Sequence, residues 1–148
     1  MGFKNDGVLV QEYVYDFGVD GGANGANITL SDKAGVDPLP VGAIIKGVTA
    51  KVLTAIVGSG SSTVSWGIEG TADGYSGTTI AEATLVDNFI VNGWDLDASL
   101  LWDLTNDHPI YQAVTSAATG GLVLLISTAD LTAGKMIFLV EYYLPSLT

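Results

Sequence analysis

Three apolar runs near the end of the chain, at residues 110–116, 121–128 and 135–143, constrain its fold more than any other feature. In the second, Leu122-Val123-Leu124-Leu125-Ile126, and in the third, Met136-Ile137-Phe138-Leu139-Val140, apolar residues occupy both parities. A strand with one wetted face alternates, whereas a strand apolar at both parities is expected to be covered on both faces. These runs therefore predict the middle of a packed β-sandwich. Their connection, Ala129-Asp130-Leu131-Thr132-Ala133-Gly134, is short and ends in glycine, as a turn between antiparallel strands does.

The remaining segments repeat this pattern. Residues 8–17 predict a central or interfacial strand, with Leu9, Tyr13, Tyr15 and Phe17 on one face and Val8, Val10 and Val14 on the other. Asp20-Gly21-Gly22-Ala23-Asn24-Gly25 breaks the chain with residues that tolerate positive φ, and residues 27–30 form a short return strand. Asp37-Pro38-Leu39-Pro40 reads as an extended crossing between sheets, because proline cannot donate to a ladder. Residues 43–56 predict the longest strand, with Ile44, Val48, Ala50 and Val52 on one side, Thr49 and Lys51 on the other, and Lys46 interrupting the apolar side. Gly58-Ser59-Gly60-Ser61-Ser62 then reads as a hairpin loop leading to a strand of Val64, Trp66 and Ile68. Residues 80–85 read as a strand or one helical turn, with strand preferred, 89–91 as a short strand, and Asn92-Gly93 is a tight-turn signal. The helical candidate is 97–104, where Asp97 could cap and Leu96, Leu100, Leu101 and Leu104 recur at helical spacing. About eight strands, glycine-rich turns and at most one short helix define an all-β fold, an antiparallel β-sandwich with jelly-roll topology favoured over an immunoglobulin-like one.

At 148 residues the chain fits a single β-sandwich domain, 1–148, with residues 1–7 as an N-terminal arm that orders against a partner. Five lysines and arginines against sixteen aspartates and glutamates leave a net charge of −11, which repels phosphate backbones and anionic membranes. Nucleic acid is thus not an expected partner. The start of the chain has no apolar core of a secretory signal, and the longest uncharged window, 109–129, is too polar to span a bilayer. Only 14% of residues are charged while 48% are hydrophobic, a balance suited to burial against neighbours. Strands apolar at both parities near both ends offer more apolar surface than one core needs, so a homo-oligomer is expected.

Few residues suggest chemistry. Cysteine is absent, and the one histidine, His108, sits in Asn106-Asp107-His108-Pro109, where a solvated turn residue is the expected role. Carboxylates gather at Asp95, Asp97, Asp103 and Asp107 and at Asp16, Asp20, Asp32 and Asp37, and an opposed pair could serve glycoside hydrolysis. Asp95 and Asp97 form Asp-x-Asp without the later glycine and glutamate of a calcium loop. Phosphate-binding, hydrolase and metalloprotease signatures are missing, so no catalytic residue, metal or cofactor is assigned. Asn27-Ile28-Thr29 matches a glycosylation acceptor but lacks a secretory route. Tyr75, Trp94 and Trp102 could form an aromatic platform for sugar or a partner, though buried plugs at the ends of the sandwich suit such bulk better. With Phe3 in the arm, they are the partner-contact candidates.

Tyr15-Asp16-Phe17-Gly18-Val19-Asp20-Gly21-Gly22, Pro40-Val41-Gly42-Ala43-Ile44-Ile45-Lys46-Gly47-Val48, Val52-Leu53-Thr54 and Thr132-Ala133-Gly134-Lys135-Met136-Ile137-Phe138-Leu139-Val140-Glu141-Tyr142 carry a resemblance. In strand and turn wording, over most of the chain, it resembles the decoration or cement proteins of tailed bacteriophage heads. The stretch 69–107 resembles them least. The resemblance implies a β-sandwich, often a jelly roll, that forms a homotrimer on the capsid exterior, bridges major capsid protein subunits and catalyses nothing. It carries no binding position over to individual residues. The alternative expectation is a carbohydrate- or receptor-binding module, such as a head fibre knob or a lectin-like sandwich, for which Tyr75, Trp94 and Trp102 would be the contacts.

Overall fold

The computed structural model describes residues 7–68, 79–92, 112–114 and 120–145. Among them are nine strands: β1 (Leu9–Asp16), β2 (Asn27–Thr29), β3 (Ile44–Gly58), β4 (Thr63–Ile68), β5 (Ile80–Ala81), β6 (Ile90–Asn92), β7 (Gln112–Ala113), β8 (Leu122–Ser127) and β9 (Leu131–Tyr143). One helical turn, α1 (Phe17–Asp20), follows β1. Asp16 caps it by accepting from Gly18 N at 3.0 Å, and Gly21 ends it at φ 74°, a conformation glycine adopts without strain.

Two antiparallel sheets form, as an all-β sandwich requires. The first runs β1-β9-β3-β6 with β7 also pairing β3, and the second runs β2-β8-β4-β5. Their inner faces share one core. Tyr13, Tyr15, Val48, Ala50, Met136 and Phe138 from the first sheet meet Val64, Trp66, Leu122, Leu124 and Ile126 from the second. Each large side chain withdrawn from water here contributes about 1.5–3 kcal/mol. Trp66 stands edge-on to Phe138 across the gap, with ring centroids 5.3 Å apart and planes at 67°.

Several expectations change. The segment 59–62 is not a hairpin: β3 and β4 lie in different sheets. The connection after β8 is not a hairpin either, since β8 pairs β4 and β2 while β9 pairs β1 and β3. In both cases crossing sheets lets the apolar face of one strand oppose that of the next, which pairing side by side would not do. The two crossings meet at Asp130, whose carbonyl accepts from Ser59 N at 2.8 Å and Ser62 Oγ at 3.0 Å, while its carboxylate accepts from Asn24 N at 2.7 Å. Gly134, expected to close the turn, lies inside β9 at φ 136°, where a Cβ would come within 2.4 Å of Ile56 Cδ1. The crossing at 37–40 keeps its expected role between β2 and β3, with Leu39 buried and its N–H bound to Gly120 O at 2.9 Å.

Faces and positions also shift. Among the described strands β1 lies at the edge of its sheet, beside β9, which leaves the interfacial half of its expected place open. A register shift between Ile45 and Gly47 turns Ile45, rather than Ile44, into the core and lets Lys46 face outward to Glu141 at 3.9 Å. β8 is buried at both parities, Val123 included, but the outer side of β9 is wetted at Leu139. Residues 82–84 are a single 3-10 turn after the two-residue β5, one of the two forms expected there, and Asn92 ends β6, while Gly93 of the expected turn lies outside the described residues. The helical candidate 97–104 lies outside the described residues.

Candidate docking surface

The outer face of the first sheet carries several of the exposed apolar side chains among the described residues. Strand register fixes its rows. Val14 pairs Ile137, Ile137 pairs Lys51, and Lys51 pairs Ile90; one row along, Glu12 pairs Leu139 and Leu139 pairs Thr49. Because the inward parities hold Tyr13, Tyr15, Met136, Phe138 and Val140, these residues all point out. Val10 is 56% exposed, Ile90 58% and Leu139 37%.

Charge on this face follows the strands. β1 presents the carboxylates Glu12 and Asp16, β3 presents the ammonium groups Lys46 and Lys51, and β9 between them carries Lys135 and Glu141 at either end of Ile137 and Leu139. Lys135 binds Asp16 at 3.0 Å, and this bond, with the Gly18 N–H, holds the Asp16 carboxyl below the usual carboxylate range. Among the described residues three lysines thus share this face with three carboxylates, so the charges placed on it balance.

The residues singled out from sequence do not build this surface. Phe3, Tyr75, Trp94 and Trp102 lie outside the described residues, as do His108, Asp95, Asp97, Asp103 and Asp107. Asp16 and Asp20 are each paired with a lysine, Asp20 to Lys33 at 2.7 Å, and serve the fold rather than opposing one another across a cleft. Among the described residues no cluster of three acids or histidines could hold a metal ion, and no helix is long and apolar enough to cross a membrane. The signal for the outer face was present in sequence: Val10, Glu12, Val14 and Asp16 alternate with the core tyrosines, as Lys135, Ile137, Leu139 and Glu141 alternate with the core residues of β9.

No family model and no curated protein matches the chain. Solved structures do. A chain of the "Cyanophage Pam1 capsid asymmetric unit" is 24% identical, with 98% of this chain and 89% of that chain covered at a TM-score of 0.60. A chain of the "Capsid of Ralstonia phage GP4" is 14% identical, with 100% and 90% covered at a TM-score of 0.52. The likeness is one of fold, and it extends over nearly the whole of each chain.

Proposed function

We propose that this protein is a non-enzymatic structural component of a tailed-phage virion, a decoration protein that sits on the outside of the head, binds the major capsid protein and stabilises the shell. The observation that carries this reading is the near full-length fold likeness to chains of two phage capsid structures. The winding supports it. Numbered along the chain, the orders β1-β9-β3-β6 and β2-β8-β4-β5 are read here as a jelly roll, an architecture that viral capsid domains use. The resemblance in strand and turn wording points the same way, and a net charge of −11 suits a position away from packaged DNA.

A cement function needs rigidity and contact area rather than a reaction centre. Many modest contacts around a shell add through multivalency, so weak single-site affinity suffices to hold the protein in place. Particles assembled without this protein should form and package normally but open at lower temperature or under milder osmotic shock, as read by release of DNA to a fluorescent dye. Unchanged robustness would overturn the proposal. If adsorption to cells were lost instead, a receptor- or carbohydrate-binding module would be indicated; Tyr75, Trp94 and Trp102, on which that alternative rests, lie outside the described residues.

A further inference from the structure

The side of β1 that faces away from β9 is half closed. In an antiparallel ladder alternate residues turn both backbone groups toward the partner strand, and the residues between them turn both away. The Val14 carbonyl accepts from the Lys33 ammonium, and the Asp16 N–H donates to the Asp20 carboxylate at 2.8 Å, so residues of this parity turn away from β9. Val10 and Glu12 share the parity, and their outward N–H and C=O groups have no partner among the described residues. Exposure divides in the same way: Val10 and Glu12 are exposed, Val14 and Asp16 half-buried. A row of open groups on an edge strand is a template for the strand of another chain.

We propose that the Asp20–Lys33 ion pair is a guard on this edge, which keeps β1 from pairing with a strand of a second chain. The pair offers what an added strand would offer, an acceptor for the Asp16 N–H and a donor for the Val14 carbonyl, and its two members are joined at 2.7 Å. Both are held in place. Asp20 ends α1, and its side chain is 7% exposed. Lys33 lies in the segment 30–37, where Leu30 is buried, the Val36 N–H donates to the Lys33 carbonyl at 3.0 Å, and the Asp37 carbonyl accepts from the buried Tyr13 hydroxyl at 3.1 Å. Fastening α1 to that segment needs only the ion pair; the bonds to Val14 and Asp16 are what set it on the edge. A strand running the length of β1 would have to displace both groups and strip water from the lysine. The stretch left open, around Val10 and Glu12, is too short for stable pairing by itself. The guard excludes association edge to edge and leaves the faces of the sandwich free for assembly, so it holds whether or not the protein binds a shell.

Sedimentation velocity on the full chain tests the guard. At tens of micromolar, about the range in which weak pairing shows, Lys33→Met and Asp20→Ala should each carry about half or more of the protein into species larger than any the unaltered protein forms. Glu12→Pro, added to either variant, should restore the unaltered profile. The Glu12 N–H points away from β9, so proline there removes a donor that strand addition needs and none that the ladder uses. Val64→Ala weakens the core and leaves the edge guarded, so it should sediment as the unaltered protein does. Circular dichroism and urea unfolding establish that the variants compared are folded. Hydrogen exchange on the unaltered protein adds a reading that needs no variant: the Asp16 amide should exchange about tenfold or more slowly than the Glu12 amide. Folded charge variants that sediment normally, association that survives Glu12→Pro, equal association by Val64→Ala, or an Asp16 amide as fast as that of Glu12 would each overturn the inference. Since no capsid enters the assay, its failure leaves the shell-robustness experiment to decide the cement reading on its own.

Discussion

Tyr13 and Tyr15 place their rings in the core beneath β1 and donate their hydroxyls to backbone carbonyls, Tyr13 to Asp37 O at 3.1 Å and Tyr15 to Gly21 O at 2.8 Å. Burial pushes the Tyr13 phenol from its ordinary 10.0 up to about 12, with Tyr142 and Asp37 adding to the shift. Burial raises Tyr15 as well, reinforced by Asp20 and Asp16. The folded state therefore favours the neutral phenols. The stability this represents is fully present below the unfolded value of 10.0 and is lost as pH rises through about 12. Urea midpoints measured from neutral pH into alkali should fall steeply over that window. Tyr13→Phe and Tyr15→Phe should each cost about 1 kcal/mol at neutral pH through the lost hydrogen bond, yet flatten the alkaline limb. An unchanged alkaline slope in the double variant would refute the assignment.

At the scale of elements, the end of β1 is clasped by Lys33. Its ammonium binds the Asp20 carboxylate at 2.7 Å and the Val14 carbonyl, while Asp20 also accepts from Asp16 N at 2.8 Å. Asp20 is nearly buried, so Lys33→Met should leave a poorly compensated carboxylate and cost about 1–3 kcal/mol. Hydrogen exchange at the Asp16 amide should accelerate more than at the core amides of β8. Neither contact is legible in sequence, because residues 14, 20 and 33 belong to three separate segments. Strand existence was legible for β1, β3, β4, β8 and β9, where apolar periodicity is strong. Sheet membership was not: the Gly-Ser loop at 59–62 and the short link at 128–130 satisfy hairpin chemistry, and only pairings as distant as Leu9 with Tyr142 decide that both cross. Ile44 was assigned inward because a register shift at Lys46 leaves no mark in a periodicity count. The docking face was half legible, since alternation marks its residues but only topology sets β1 and β3 on either side of β9.

The whole molecule carries a net charge of −11, while among the described residues the outer face of the first sheet balances three lysines against three carboxylates. If the protein forms the homo-oligomer that its strands apolar at both parities lead one to expect, stability becomes a function of protein concentration, because association adds to the free energy of the folded state. The melting temperature should rise by several degrees over a hundredfold increase in concentration, about what 2.7 kcal/mol of added stabilisation gives in a chain of this size. A concentration-independent melting temperature in the unaltered protein would speak against self-association.

Sheet order also governs how the chain comes off the ribosome. β1 has β9 as its only sheet neighbour among the described strands, with Asp16 against Lys135 at one end and Leu9 against Tyr142 at the other. β1 must wait for β9 to emerge. β3, the longest described strand, pairs β6 and β7 earlier but gains its long neighbour only with β9. Domains built on such distant pairings fold late and slowly, exposing unpaired apolar strands in the interim. The first sheet therefore stays open until β9 emerges, whereas the second is joined one strand earlier by β8, which lies between β2 and β4.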